Sequence, residues 1–293
     1  MDISPLSILQ NIAGFKSQMI GSLFNSSNDP KGDFLSALAA QRSALNRAPN
    51  AAALPQGSEL PGLKLFDPMS AQKLMTSINN RDVLHKAEFS EMHKMKDYVQ
   101  QMEDAGDRLS GVIATTPNSE IQTQLQSFVA EYNSLVQQFK PSVQNGGLLA
   151  GVQAAEISLY ELEQSVKYKF FGANEGMHGM ADLGITIDPS SKLAVLDSTK
   201  LDAVLSSNKL AAVNTLNEFS SNFAKSADLL NSTGNFIPNR LNNLGRAISY
   251  IANNKESLQA EFGIGDAAKP NKRVAQALAA YNQIYGATPP LAI

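Results

Sequence analysis

Residues 180–219 read MADLGITIDPSSKLAVLDSTKLDAVLSSNKLAAVNTLNEF, and the reading of this stretch decides the fold. Ile185 and Ile187 alternate with Thr186 and Asp188, the period-two pattern of a half-buried strand. Pro189-Ser190-Ser191 supplies turn chemistry, because proline pre-sets φ and serine can bond its own backbone. Leu193 and Val195 are expected to form the inner side of an answering strand that ends at Leu196. Asp197 and Ser198 carry oxygens that can accept from the free amides of a helix start, so the spacing predicts a helix from Thr199. Leu201, Val204 and Leu205 give it an apolar face. Ser206-Ser207-Asn208 interrupts it, and Asn208 can cap a longer helix carrying Leu210, Val213, Leu216, Phe223, Ala227 and Leu230.

Upstream, nothing from Pro68 to about Gly111 breaks a helix apart from Gly106, and the residues are good helix formers. Such a helix is about 60 Å long and calls for partners along its length. Its seam begins at Leu74 and Ile78 and continues at Met92, Met95, Val99, Met102 and Leu109, with Arg81, His85 and Glu88 on the same stripe. Either the helix bends there and Leu84 and Phe89 take over the contact, or those polar groups face a neighbouring subunit. After Thr115-Thr116-Pro117, with Asn118 or Ser119 as cap, Ile121, Leu125, Phe128, Tyr132, Leu135 and Phe139 repeat every three or four residues, the seam of a second helix. Pro141 and Gly146-Gly147 should end it. Two long helices joined by a short turn make an antiparallel hairpin the economical arrangement.

A third helix is expected over 154–171 with Leu159, Leu162, Val166 and Phe170, then a loop over 172–179. Beyond a turn at Ser232-Thr233-Gly234, Leu241, Leu244, Ile248 and Ile251 support another helix. A short helical turn and loop fall over 256–265, and a last helix over 272–285 carries Val274, Leu278, Tyr281 and Ile284. Near the N-terminus, helices are expected over 5–24 (Ile8, Ile12, Phe15, Met19, Phe24) and 34–46, with a Pro/Ala/Gly-rich linker over 49–61 and a Pro-containing tail at 288–290. The fold class is therefore mostly α, a long antiparallel helical hairpin or bundle with one small β-hairpin at about 184–196. Its expected parts are 1–64 (N-terminal helices and linker), 65–254 (helical body) and 255–293 (C-terminal helix and tail).

The order and spacing of Ala181-Asp182-Leu183-Gly184-Ile185-Thr186, Asp188, Leu193, Asp197, Lys200-Leu201, Ala203, Leu205, Asn208 and Ala212-Val213 resemble the C-terminal part of the flagellar filament cap family, hook-associated protein 2. Phe128-Val129, Tyr132-Asn133, Leu135 and the run Gly147-Leu148-Leu149-Ala150-Gly151 extend the resemblance, which covers roughly 124–251. The sequence departs from the family's pattern at the hairpin turn, where Ser190-Ser191 replaces a glycine, and at Val152, which replaces an aspartate that caps the next helix. A glycine- and serine-rich opening is not found at 1–25, and the helical pattern of 64–116 leaves no room for the family's outer β-rich domains. The resemblance implies a structural protein of the bacterial flagellum that forms a homo-oligomer and helps flagellin subunits assemble. Its implied partners are itself, flagellin and the hook-filament junction proteins, with adhesion as a role inherited from the family alone. An intracellular helical scaffold or export chaperone built on the same core is the alternative.

Composition fits either role. The chain has 293 residues, a net charge of -3 and no cysteine, so disulfides, thiolate metal sites and a cysteine nucleophile are excluded. Scattered Lys and Arg give no footprint for nucleic acid, and no apolar run reaches the ~20 residues of a membrane span. The N-terminus, with Asp2 and polar interruptions, is a poor cleaved secretion signal. Placement at the flagellum, outside the cell, is implied through an export route that needs no cleaved signal; the scaffold alternative implies the cytoplasm.

Catalytic motifs are missing. No nucleophile elbow, phosphate-binding loop or dinucleotide glycine fingerprint occurs. His85, Glu88, Glu91 and His93 are close in sequence, but Glu91 and His93 point apart on a helix and only His85 and Glu88 share a face. Glu103 with Asp104, and Glu161 with Glu163, are expected to face water. Neither an enzyme nor a cofactor or metal is expected. The candidate self-association or packing residues are Leu74, Ile78, His85, Met92, Val99, Ile121, Leu125, Phe128, Tyr132 and Leu135.

Overall fold

The computed structural model describes residues 68–169 and 177–286. The expected helices over 5–24 and 34–46, the linker over 49–61, Phe170 with most of the 172–179 loop, and the tail at 288–290 lie outside them. The chain divides into two compact units, Met1–Gln72 and Lys73–Ile293. Of the first, only 68–72, the opening of a helix, is described.

The elements are α1 (Pro68–Leu109), α2 (Asn118–Val143), α3 (Gln153–Lys167), β1 (Ile185–Ile187), β2 (Ala194–Leu196), α4 (Ser198–Ser207), α5 (Lys209–Asn231), α6 (Phe236–Asn253), α7 (Lys255–Phe262) and α8 (Lys272–Tyr285). The described residues are mostly helical with one two-stranded antiparallel sheet, as the hydrophobic periods predict. α1 and α2 run antiparallel. Arg108 bonds Glu131 near their turn, the Tyr98 and Phe139 rings meet edge-on at 5.3 Å midway, and Ser142 Oγ donates to Glu91 Oε1 at 2.8 Å further along. α5 crosses back along α1, where the Ser220 hydroxyl donates to the Gly106 carbonyl at 2.8 Å and Asn231 Nδ2 to the Lys96 carbonyl at 3.0 Å. Gly106 is explained by this approach, since a Cβ there would come within 3.0 Å of the Phe223 ring and 3.2 Å of the Ala224 nitrogen.

One continuous apolar core runs through α1 from Phe89, α2, α3, the hairpin, α4, α5 and α6, and includes Tyr281 of α8. Phe128 anchors it, with Phe219 and Phe223 edge-on at 5.3 and 5.0 Å. Offset aromatic packing of this kind adds roughly 0.5–1.5 kcal/mol per pair beyond area burial. Side-chain caps open several of the helices. Asp197 accepts from the Lys200 N–H at 3.0 Å to open α4, Asn208 from Ala211 at 3.2 Å to open α5, and Asn271 from Val274 at 3.0 Å to open α8.

Several sequence expectations need correction. Neither Asn118 nor Ser119 caps α2: Pro117 stands at the cap without a side-chain bond, and its carbonyl takes the Glu120 and Ile121 amides. Pro141 does not end α2, which runs on to Val143; in the last turn its missing N–H leaves only one carbonyl without a helical donor. Leu74 is half-buried and Met75 takes the inner position. Leu210 and Ile284 are exposed. At the first turn of α5 the inward positions go to Ala211, Ala212 and Val213, and on α8 Tyr285 rather than Ile284 meets α1.

Along α1, Phe89 does take over the contact where the apolar stripe lapses, lying edge-on to Tyr281 at 6.0 Å and Tyr285 at 5.5 Å. Leu84 does not; it is exposed. Glu88 turns inward within the chain. It is buried, with Arg240 of α6 placing Nε and Nη2 each 2.5 Å from Oε1. Burial raises the Glu88 pKa and outweighs the lowering by Arg240. His85 beside it is pushed down to about 4, first by burial and then by the charges of Arg240 and Arg81.

Candidate functional site

The hairpin pairs Ile185 with Leu196, Thr186 with Val195 and Ile187 with Ala194. Ile185 and Ala194 are buried, Ile187 and Leu196 are partly covered, and Thr186 and Val195 face out, Val195 at 54% exposure. The phase expected for the second strand was therefore off by one. The reason is the turn: Pro189 to Lys192 makes four residues, closed by Lys192 N–H to the Asp188 carbonyl at 2.9 Å and by Lys192 itself at φ 65°. One Asp188 oxygen gathers the Ser190 N–H (3.1 Å), Ser191 N–H (2.6 Å) and Ser191 hydroxyl (2.7 Å), and these bonds hold its carboxyl below the usual range, those from Ser191 most. The carboxylate thus braces the turn, while Lys192 takes its left-handed backbone position.

Three contacts fasten the hairpin to the helices. Asn133 of α2 accepts from the Ala194 N–H at 2.7 Å and donates to the Ala194 carbonyl at 2.9 Å, so a side-chain amide completes the outer edge of β2 as a neighbouring strand would. Lys140 Nζ, one helical stretch on, donates to the Ser190 carbonyl at 2.7 Å and the Ser191 carbonyl at 3.0 Å. Glu163 of α3 pairs with Lys192 at 3.1 Å and with Lys167. Glu163 does not face water as its sequence position suggests: it is buried beneath the turn, and although burial works to raise its pKa, the two ammonium groups outweigh it and hold the carboxyl low. Buried Tyr132 beside Asn133 is pushed above the ordinary phenol range by burial first and the Glu163 charge second.

The run before β1 is equally fixed. Gly184 takes φ 88°, and a Cβ there would stand 2.7 Å from the Asp197 carbonyl. Ile185 N–H bonds the Met180 carbonyl at 2.9 Å, Asp197 N–H the Gly184 carbonyl at 2.9 Å, and Lys200 Nζ the Ala181 carbonyl at 2.8 Å. His178, for which sequence offers no partner, donates its backbone N–H to Asp182 at 2.7 Å.

These contacts make a structural joint between strands and helices. Its charged groups are spent on one another and on backbone carbonyls, and among the described residues no group of three or more His, Asp or Glu could hold a metal ion. Of the candidate residues, Ile78, Met92, Val99, Ile121, Leu125, Phe128, Tyr132 and Leu135 are buried in the chain's own core, while Leu74 and His85 are partly open. Asn133, Lys140 and Glu163 carry the joint, and periodicity cannot find them, because each is a polar residue on an otherwise ordinary helix face.

Residues 112–269 match the model of the flagellar hook-associated protein 2 C-terminus. The chain belongs to that family. The match runs from the turn before α2 through the loop after α7, so it contains the hairpin and every contact that fastens it, and it leaves α1 and α8 outside. Among solved structures, the D1-D2-D3 domains of the flagellar cap protein FliD from Escherichia coli are similar, with 24% identity and a TM-score of 0.39 over 43% of this chain and 37% of that one. The chain thus spans little more than a third of that structure's length. No curated protein matches.

Family membership accounts for the motif positions in physical terms. Gly184 is required by its backbone conformation, Asp197 and Asn208 by the helices they open, and Asn133 by the strand edge it completes.

Outside the joint, apolar side chains remain on the surface. Ile113, in the α1–α2 turn, and Leu210, at the start of α5, are more than half exposed at one end of the bundle, held together there by Lys209 Nζ on the Thr116 carbonyl at 2.5 Å. Among the described residues no helix is long and apolar enough to cross a membrane.

Proposed function

We propose that this chain is a cap-like structural component of the bacterial flagellum, self-associating and assisting the assembly of flagellin. The observation that carries the reading is the hairpin joint: the family's motif residues seat a pair of strands on the helices. Exposed Ile113 and Leu210, together at one end of the bundle, support a contact between copies, since burying an apolar side chain of that size is worth about 1.5–3 kcal/mol. Partly open Leu74 and His85 belong to the same proposed set of contacts. On this reading its partners are further copies of itself, flagellin and the hook-filament junction proteins, and it is exported to the filament.

Immunogold labelling of filaments, paired with the solution mass of the purified chain, tests it. Label at filament tips and a mass above the monomer are expected. A protein confined to the cytosol, with normal filament growth after deletion, would replace this reading with the scaffold alternative.

A further inference from the structure

The turn that follows α2 contains the one Asn-Gly dipeptide of the sequence, Asn145-Gly146. Both residues are exposed. Gly146 sits at φ 79°, and a Cβ built on it would meet nothing within 4 Å, so no neighbouring group crowds this glycine. The turn is held on either side of this bond, by Gly147 N–H to the Gln144 carbonyl at 2.8 Å and Leu149 N–H to the Ser142 carbonyl at 2.8 Å. The Gly146 N–H and the Asn145 side-chain amide take no part in these bonds.

We infer that Asn145 is a site of spontaneous imide formation and deamidation. Solvent hydroxide removes the Gly146 N–H proton and the nitrogen bonds to Cγ of Asn145. The Cγ–Nδ2 bond then breaks, and Nδ2 leaves as ammonia after taking a proton from water. One water molecule opens the five-membered imide at either carbonyl, giving aspartate or isoaspartate; nothing is oxidised or reduced. Glycine favours the ring closure because it has no side chain to crowd the attacking nitrogen. Asn133-Ser134 is the internal contrast, set inside α2 with its side-chain amide committed to Ala194.

The product changes the joint's support. A new carboxylate stands just past the C-terminus of α2, the end of a helix that disfavours negative charge. The isoaspartyl form also inserts a methylene into the main chain between Gln144 and Gly147, whose mutual bond defines the turn.

The test holds the purified full-length chain at mildly alkaline pH and follows it by peptide mapping, with aspartate and isoaspartate products separated by chromatography. Asn145 is expected to convert to both products while Asn133 stays an amide. Asn145→Gln is expected to lose conversion at this position and keep the parent's thermal midpoint. Conversion at Asn145 no faster than at Asn133, or conversion to aspartate without isoaspartate, would overturn the inference.

Discussion

The side-chain amide of Asn133 bonds both the N–H and the carbonyl of Ala194, 61 residues away in sequence, at 2.7 and 2.9 Å. A helix thereby supplies the strand partner that a two-stranded hairpin lacks. A lone hairpin is at best marginally stable in water, so this pairing, with the buried Ile185 and Ala194, makes the strands a fixed part of the core.

Asn133→Ala removes both bonds and leaves the two backbone groups of buried Ala194 without partners. The expected loss is about 2–6 kcal/mol in urea unfolding, from roughly 1–3 kcal/mol for each of the two unsatisfied groups. Hydrogen exchange at the Ala194 amide should accelerate. An unchanged midpoint together with an unchanged exchange rate would show that the clamp contributes nothing.

The phase of β2 separates inner from outer positions. Val195→Lys, on the exposed face, should shift stability by no more than about 0.5 kcal/mol. Ile185→Ala, whose side chain is 1% exposed, should cost about 2–5 kcal/mol. Reversed magnitudes in thermal melts would mean that the hairpin sits with its other face inward.

Gly184 combines a left-handed backbone with a carbonyl 2.7 Å from where a Cβ would stand. Gly184→Ala should therefore destabilise by about 2 kcal/mol or more, from backbone strain of order 1–3 kcal/mol plus the clash. Calorimetry decides it.

His85 gives the pH dependence a definite sign. Its pKa in the folded chain is about 4, against 6.5 unperturbed. Above pH 6.5 the imidazole is neutral in both states and its contribution is fully present. As pH falls from 6.5 towards 4 the unfolded chain takes up a proton that the folded chain refuses, and stability drops by on the order of 3 kcal/mol before levelling. Glu88, with its raised pKa, acts in the opposite sense as it protonates, so the readout is the difference between the parent and His85→Gln across that window. Two parallel stability curves would remove His85 from the account.

The clasp between α1 and α8 depends on rings rather than hydroxyls. Tyr281 is buried, its hydroxyl has no hydrogen-bond partner among the described residues, and its pKa is pushed up to about 12 by burial first and then by Asp82 and Tyr285. Tyr281→Phe should be neutral or stabilising, because removing an unpaired buried hydroxyl removes a desolvation cost. Phe89→Ala, which empties the other side of the clasp, should cost about 3–5 kcal/mol. A Tyr281→Phe loss approaching that of Phe89→Ala, in the same urea series, would reveal a bond to the hydroxyl.

Local chemistry by itself determined the elements: the periods of 3.6 and 2 in the apolar residues, the caps at Asp197 and Asn208, and the motif run from Ala181 to Val213 that placed the chain beside its family. Those signals are legible because each depends on residues within a turn or two of one another. The tertiary structure decided what sequence distance hides. A four-residue turn closed by Asp188 and Lys192 set which face of β2 is buried, and a one-residue change of phase exchanges Ala194 for Val195. Glu88 and Glu163 looked like solvated or intersubunit charges until Arg240, 152 residues on, and Lys192, 29 residues on, came to meet them. Asn133 carried no periodic signal at all, because a polar side chain acquires its meaning only from the backbone edge that folding brings against it.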